Sequence, residues 1–173
     1  NREKSFEDKA LEVNTEAYTY YLEAKYKFDN FSNKSDIRVA QGLLDKCISL
    51  DNNILEAKLL MGQTYYSTYN TLKANELLYN VIEEAEKNNN YKIIANSLSE
   101  LGHHYIMCRD FQKGIDYFNR SLDISKKIND KGCIALCLAQ LAWANVYAGI
   151  DSHDKAIEVF EMIIILFKEL EDD

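Results

Sequence analysis

Large, small and aromatic positions recur along this chain at fixed offsets. In "MGQTYYSTYNTLKANELL" (61–78), "LGHHYIMCRDFQKGIDYF" (101–118) and "WANVYAGIDSHDKAIEVF" (143–160) a large residue comes first: Met61, Leu101 or Trp143. A small residue follows (Gly62, Gly102, Ala144), and three places on stands a tyrosine (Tyr65, Tyr105, Tyr147). Nine residues later the chain is small again at Ala74, Gly114 and Ala156, and four beyond that it is large at Leu78, Phe118 and Phe160. Apolar-periodic runs of this kind read as helices. They begin after side chains able to cap free amides: Thr15, Ser35, Thr71, Asp110, Asp130 and Ser152. The pattern predicts helices near 16–30, 35–50, 53–69, 71–88, 91–108, 110–128, 131–149 and 152–170, with 1–14 as a leading helix or linker.

A looser fourth copy lies upstream, where "AYTYYLEAKYKF" supplies Ala24 and "VAQGLLDKCISLDN" supplies Ala40, Leu44 and Cys47. The small position recurs from 62 to 102 and from 102 to 144. Self-similarity at such a period is the mark of a repeat array. Gly62, Gly102 and Ala144 would let paired helices approach closely, and Tyr65, Tyr105, Leu78, Phe118 and Phe160 would fill the space beside them. Each such burial is worth about 1.5–3 kcal/mol.

The pattern of large, small, x, x, Tyr, then small, then aromatic resembles the tetratricopeptide repeat. The resemblance covers residues 16 to about 170 and implies an all-α fold, a right-handed superhelical stack of antiparallel helix pairs. The pairs expected are about 15–51, 52–89, 90–129 and 130–171 within 15–173. Two departures stand out. The family's proline after the second helix is absent, Asn52, Glu86, Lys126 and Lys168 standing near the equivalent places. The period also exceeds the family's 34 residues.

Composition sharpens the exclusions. The chain of 173 residues has no proline and six glycines, which leaves it free to be helical along most of its length. Twenty Lys and Arg against 28 Asp and Glu give a formal charge of −8, and the cations are scattered, which argues against a nucleic-acid partner. "MIIILF" (162–167), the longest apolar run, is too short to span a bilayer. Cys47, Cys108, Cys133 and Cys137 show no CxxC pair and read as buried thiols in a reducing compartment, so the expected location is cytoplasmic. A chain beginning at Asn1 reads as a piece of a longer protein.

His103, His104 and Cys108 raise the question of a metal or a nucleophile. Adjacent helical residues do not face one another, and no further cluster has ligand spacing, so the expectation is no metal and no cofactor. No GxSxG elbow, HExxH, phosphate loop or dinucleotide fingerprint is present, and no catalytic residue is expected.

Function is therefore sought on the surface. Carried over from the family position by position, the groove-facing set is Tyr18, Tyr21, Lys25, Leu59, Gln63, Tyr66, Ser99, His103, Ile106, Leu141 and Asn145. One hydrogen-bonding residue per repeat (Lys25, Gln63, His103, Asn145) would pair with a peptide or protein partner, and tyrosines would add contact area. In the last helix Ala156, Phe160, Ile163 and Phe167 are expected to face inwards. Ile157, Val159, Met162, Ile164, Leu166 and Leu170 form a second apolar stripe, which implies either a further repeat packed beyond it or, the reading favoured for the isolated chain, a homodimer through the C-terminal helix. Finally, "EDKALEVNTEAYTYYLEAKYKFD" is similar to the segment that opens repeat arrays in bacterial signalling proteins beside nucleotide cyclases, Ser/Thr kinases or winged-helix regulators. That resemblance implies a non-catalytic regulatory interaction region. The alternative is a stand-alone intracellular receptor for a short signalling peptide.

Overall fold

A computed structural model describes residues 14–171, without the side chains of 166 and 169–171. The expected leading segment, apart from Asn14, lies outside the described residues, as do the side chains of Leu166 and Leu170. Every regular element among the described residues is an α-helix: α1 (Thr15–Asp29), α2 (Lys34–Leu50), α3 (Leu55–Ser67), α4 (Thr71–Lys87), α5 (Tyr91–Met107), α6 (Phe111–Lys127), α7 (Lys131–Tyr147) and α8 (His153–Glu171). The chain divides into two compact units, one reaching Asn70 and the other beginning at Thr71. The first holds α1–α3, with α1 packed on α2, α2 on α3 and α1 also touching α3. In the second each helix from α4 to α8 packs on the next, and α5 also touches α7.

Helices α3 to α7 stop by a device that needs no proline. Tyr69, Asn89, Arg109, Asn129 and Gly149 stand twenty residues apart, each at positive φ, from 53° to 71°. The residue after each turns its amide back into the preceding helix: Asn70 to the Tyr65 carbonyl (2.8 Å), Asn90 to Ala85 (2.9 Å), Asp110 to Tyr105 (2.9 Å), Asp130 to Ser125 (3.0 Å) and Ile150 to Asn145 (2.9 Å). This is the Schellman closure, which satisfies a carbonyl at the helix end. Three of those residues also open the next helix. Asn90 Oδ1 accepts from the Ile93 amide (3.2 Å), Asp110 Oδ1 from Lys113 (3.3 Å) and Asp130 Oδ1 from Cys133 (2.9 Å). One residue thus ends one helix and caps another, so the turns are short and neighbouring helices run antiparallel.

The first two helices are capped one and two residues earlier than expected. Asn14 rather than Thr15 accepts from the amides of Glu16 and Ala17. Asn33 rather than Ser35 forms a capping box with Asp36 on α2. A side chain accepts at N2 or N3 only from the last non-helical residue, and Thr15 and Ser35 already have helical backbone.

The core of the second unit is built round a close crossing of α5 and α6. A Cβ on Gly102 would lie 2.8 Å from Phe118 Cδ1 and 3.1 Å from the Gly114 carbonyl oxygen. A Cβ on Gly114 would lie 3.0 Å from the Gly102 carbonyl oxygen and 2.5 Å from Ile106 Cδ1. The two glycines therefore face each other, and the fully buried Phe118 closes over them. Ile115 and Phe118 then meet Ala144 of α7, with Ile106 and Leu141 packed against them. Along the same seam Leu122 meets Cys133, Cys137 and Ala95.

That seam contains a buried ladder of small polar groups. Ser121 Oγ donates to the Ala95 carbonyl (2.7 Å) and lies 3.1 Å from Cys137 Sγ. Ser125 Oγ reaches the Ser121 carbonyl (2.8 Å) and Cys133 Sγ (2.9 Å). The neighbouring Cys133 sulfur, and burial after it, push the Cys137 thiol far above its ordinary range, so it keeps its proton.

The helix ends also correct the register of the last repeat. α5 and α7 are 17 residues each and start forty apart, and Asp110 and Ile150 make the same closing bond. Ala142, not Ala144, therefore stands in the place of Gly102, and Trp143 in that of His103. From α6 to α8 the offset is forty-two, because the turn between α7 and α8 is two residues longer. Aligning Ala144 under Gly102 moved those two residues into the helix. Ala144 is buried, but against the preceding α6.

Candidate protein-interaction surfaces

The groove-facing set divides by burial. In the first unit Tyr18 and Lys25 are exposed, Tyr21, Gln63 and Tyr66 are half-buried, and Leu59 is buried. Tyr18 and Tyr21 stand side by side on α1 with ring centroids 5.5 Å apart. Lys25 Nζ donates to Asp29 Oδ2 at 2.7 Å one turn on. In the second unit His103 is exposed, whereas Ser99 is buried and Ile106 packs over Gly114. Leu59, Ser99 and Ile106 thus serve packing more than contact.

Leu141 and Asn145 follow the corrected register. Leu141 takes the place of Leu101 and packs against the seam between α6 and α7. Asn145 takes the place of Tyr105, and its Nδ2 donates to Asp151 Oδ2 (3.0 Å), tying the end of α7 to the following turn. Lys155 and Asn145 both bond to Asp151, and they hold its carboxyl below the usual carboxylate range. The step equivalent to His103 is occupied by Trp143, which is exposed. Its ring stacks on Tyr147 (6.0 Å) and tilts against Phe160 (5.7 Å). Leu136, Trp143 and Tyr147, at i, i+7 and i+11, make an exposed apolar stripe along α7. The sequence reading missed it because the two-residue slip put the wrong face of α7 outward.

Tyr105, expected in the core, is half-buried and belongs to a phenol cluster. It stacks parallel to Tyr117 with centroids 5.4 Å apart, and Tyr79 Oη lies 2.8 Å from Tyr117 Oη and 3.3 Å from Tyr105 Oη. Lys113 Nζ sits 4.0 Å from the Tyr105 centroid, a cation–π contact. Burial, then the bonds to Tyr105 and Tyr117, push the Tyr79 phenol far up. Three phenols that share hydrogen bonds across α4, α5 and α6 tie those helices together.

The His–Cys constellation resolves into one short contact. His104 Nε2 lies 3.5 Å from Cys108 Sγ, one turn along α5, while His103 points to solvent. Burial, and after it His103, hold His104 below its ordinary pKa. Among the described residues no three His, Cys, Asp or Glu side chains converge as a metal set would. No described helix is long and apolar enough to cross a membrane.

On α8 Ala156 and Ile163 are buried and Phe160 half-buried, facing inwards as expected. Phe167, expected to join them, is exposed near the end of the helix, and Ile157, Met162, Ile164 and Ile165 are exposed with it. Val159 is half-buried. Ile165 was missed because the inferred stripe ran through Leu166 instead.

Comparison with known proteins bears on this arrangement. Residues 93–169, which cover α5 to α8 almost completely, match the family described as the tetratricopeptide repeat. Residues 93–169 are tetratricopeptide repeats. In a tetratricopeptide repeat the glycine crossing of α5 and α6 is the contact within one helix pair, and the α6–α7 seam joins one pair to the next. Among solved structures the chain is similar to a MamA RS-1 ArsTM double mutant, at 16% identity over 93% of this chain and 99% of that one, with a TM-score of 0.38. No curated protein matches. Tetratricopeptide repeats mediate protein–protein interaction, so the chain is read as a protein-binding module.

Proposed function

We propose that the chain is a non-catalytic scaffold that binds a peptide or protein segment along α5 and α7, as the regulatory interaction region of a larger bacterial signalling protein. The observation that carries the reading is the exposed Leu136–Trp143–Tyr147 stripe on α7, with His103 at the matching step of α5. Rigid aromatics supply contact area at small entropic cost, and a polar neighbour orients the ligand. In the first unit Lys25, Gln63, Tyr18, Tyr21 and Tyr66 take the corresponding role. The signalling context rests on the similarity of "NTEAYTYYLEAKYKFD" to segments that open repeat arrays beside effector domains. Unpaired thiols, three of them buried, support a reducing compartment such as the cytoplasm. The same reading assigns the outer face of α8 to a second copy of the chain.

Trp143 is the only tryptophan, so it reports directly on this surface. A display library of short peptides should enrich sequences that shift Trp143 emission on titration. His103→Ala and Tyr147→Ala should weaken them by about 10-fold or more at an unchanged Tm. Absence of any enriched peptide that moves Trp143 emission, or a parallel loss of affinity and Tm, would remove the reading. Enrichment of one short sequence with tight binding would instead favour a stand-alone receptor for a signalling peptide.

A further inference from the structure

We infer that Cys133 and Cys137 form a redox switch in the α6–α7 seam: a peroxide oxidises Cys133, and Cys137 then closes a reversible disulfide that loosens the first turn of α7. Neither thiol belongs to the binding surface proposed above, but Leu136 of that surface lies between them.

Packing does not require sulfur and hydroxyl groups at these positions. Forty residues earlier, in the seam between α4 and α5, the places of Ser121, Ser125 and Cys133 are held by Val81, Ala85 and Ile93, all buried. Those two helices have the same lengths and spacing as α6 and α7, and they pack on one another with an apolar set. At the place of Cys137 stands Ser97, whose buried hydroxyl has no hydrogen-bond partner among the described residues. The α6–α7 seam thus surrounds two thiols with hydrogen-bonding groups that the equivalent seam does without.

The surroundings make the two thiols unlike. Cys133 is the third residue of α7, where the free amides of a helix start favour negative charge. Ser125 Oγ donates to its sulfur at 2.9 Å, and Asn96 Oδ1 stands 3.7 Å away. The Ser121 carbonyl that Ser125 also reaches already accepts a helical amide, so the hydroxyl proton is available to the sulfur. The Cys137 thiol pulls Cys133 below the ordinary thiol range, burial and the Asp130 carboxylate oppose it, and Ser125 adds to it. Cys137 keeps its proton. Cys133 retains 8% exposure against none for Cys137 and Cys47, so a small peroxide reaches it first.

A thiolate is the nucleophile towards peroxide. The Cys133 sulfur attacks one peroxide oxygen and the O–O bond breaks. Hydroxide leaves and becomes water with the proton that Cys133 had shed. Cys137 then gives up its proton, its sulfur bonds to that of Cys133, the S–O bond of the sulfenic acid breaks, and a second water departs. The two thiols lose two electrons, and the peroxide gains them. Bonded sulfurs need Cβ atoms about 3.5–4.5 Å apart, whereas i, i+4 residues of a helix hold them at about 5–6 Å. The first turn of α7 must therefore deform, which draws Cys133 away from Ser125 and its amide away from the Asp130 cap. Cellular thiols reverse the bond, as they do for transient sensing disulfides in reducing compartments.

Hydrogen peroxide treatment of the folded chain, followed by alkylation of the remaining thiols after denaturation and mass mapping, tests this. Cys108→Ser supplies the background, since it removes the thiol that is exposed rather than, as expected, buried. The segment carrying Cys133 and Cys137 should become lighter by two hydrogen atoms and escape alkylation. It should do so about 10-fold or more faster than Cys47 is lost, because burial, and after it Asp51, hold Cys47 above the ordinary range. Cys137→Ser should halt at a Cys133 sulfenic acid that dimedone traps. Dithiothreitol should restore both the mass and the far-ultraviolet circular dichroism of the oxidised chain. Loss of Cys47 as fast as Cys133, or no trapped sulfenic acid at Cys133, overturns the switch. A disulfide that forms with an unchanged spectrum overturns the loosening of α7.

Discussion

Replacing Gly102 by alanine adds one methyl group at the close crossing of α5 and α6. The new Cβ would stand 2.8 and 2.9 Å from Cδ1 and Cε1 of Phe118 and 3.1 Å from the Gly114 carbonyl oxygen. Phe118 is fully buried and the carbonyl belongs to the opposing backbone, so relief requires α5 and α6 to separate. Overpacking of this kind costs about 1–3 kcal/mol. Alanine recovers about 0.8–1.0 kcal/mol of helix propensity over glycine. The expected net effect is a destabilisation of up to about 2 kcal/mol. Gly132 is the control, since it lies in the same unit and a Cβ there would meet only Asp130 Oδ1, at 3.5 Å. Gly132→Ala should be neutral or stabilising by up to about 1 kcal/mol. Gly42→Ala, with nothing within 4 Å of the added atom, should do the same for the first unit. Gly114→Ala should destabilise comparably, because its Cβ would meet the Gly102 carbonyl oxygen at 3.0 Å as well as the Ile106 side chain. Urea unfolding followed at 222 nm reads the differences as shifts in midpoint. If Gly102→Ala and Gly132→Ala shift the midpoint upwards alike, the close crossing does not exist.

Further outcomes follow from the turns and from two buried polar groups. Arg109→Gly should stabilise by up to about 1 kcal/mol in thermal melts, because a left-handed residue with a Cβ costs about 1–2 kcal/mol and glycine's extra chain entropy returns about 0.5–1. Gly149→Ala, at φ 71°, should destabilise by about 1 kcal/mol in the same assay. The Ser97 hydroxyl is buried with no hydrogen-bond partner among the described residues, so Ser97→Ala should leave stability unchanged or raise it by about 1 kcal/mol. His104 has a folded pKa below its unfolded value of 6.5, so the unfolded state binds more protons between the two. Its contribution is fully present above pH 6.5 and is lost as the pH falls towards the folded pKa. His104→Gln should flatten the urea midpoint across that window, and an unchanged slope would contradict the burial of its ring.

What could be read in the sequence was what sterics impose directly. Gly102, Gly114 and Phe118 meet as expected, because only glycine permits that approach and only a large ring fills the space beside it. Asp110 and Asp130 were recognisable caps, since each precedes a helical run. Asn14, Asn33 and Asn90 cap too, but asparagine is equally at home in loops and gave no separate signal. The two-residue slip in the last repeat arose because Ala142 and Ala144 are both small and both buried, on different sides of α7. Only the hydrogen bonds at the helix end distinguish them. Burial of Leu59 and Ser99 depends on neighbours far off in the chain, which a position within the repeat does not specify.

The left-handed residues at 69, 89, 109, 129 and 149 set a phase for the chain from α4 to α7. Four consecutive helices, α4 to α7, have 17 residues each and are joined by three-residue turns. One residue inserted inside a helix turns everything after it by about 100° and moves Gly114 or its equivalents off the crossing. Two residues inserted in a turn do no such harm, as the longer connection between α7 and α8 shows. The chain is therefore tolerant of length in its turns and intolerant of it in its helices. Segments exchanged between such arrays should be cut at the left-handed residues and in whole multiples of twenty, so that every small residue arrives at its crossing in step.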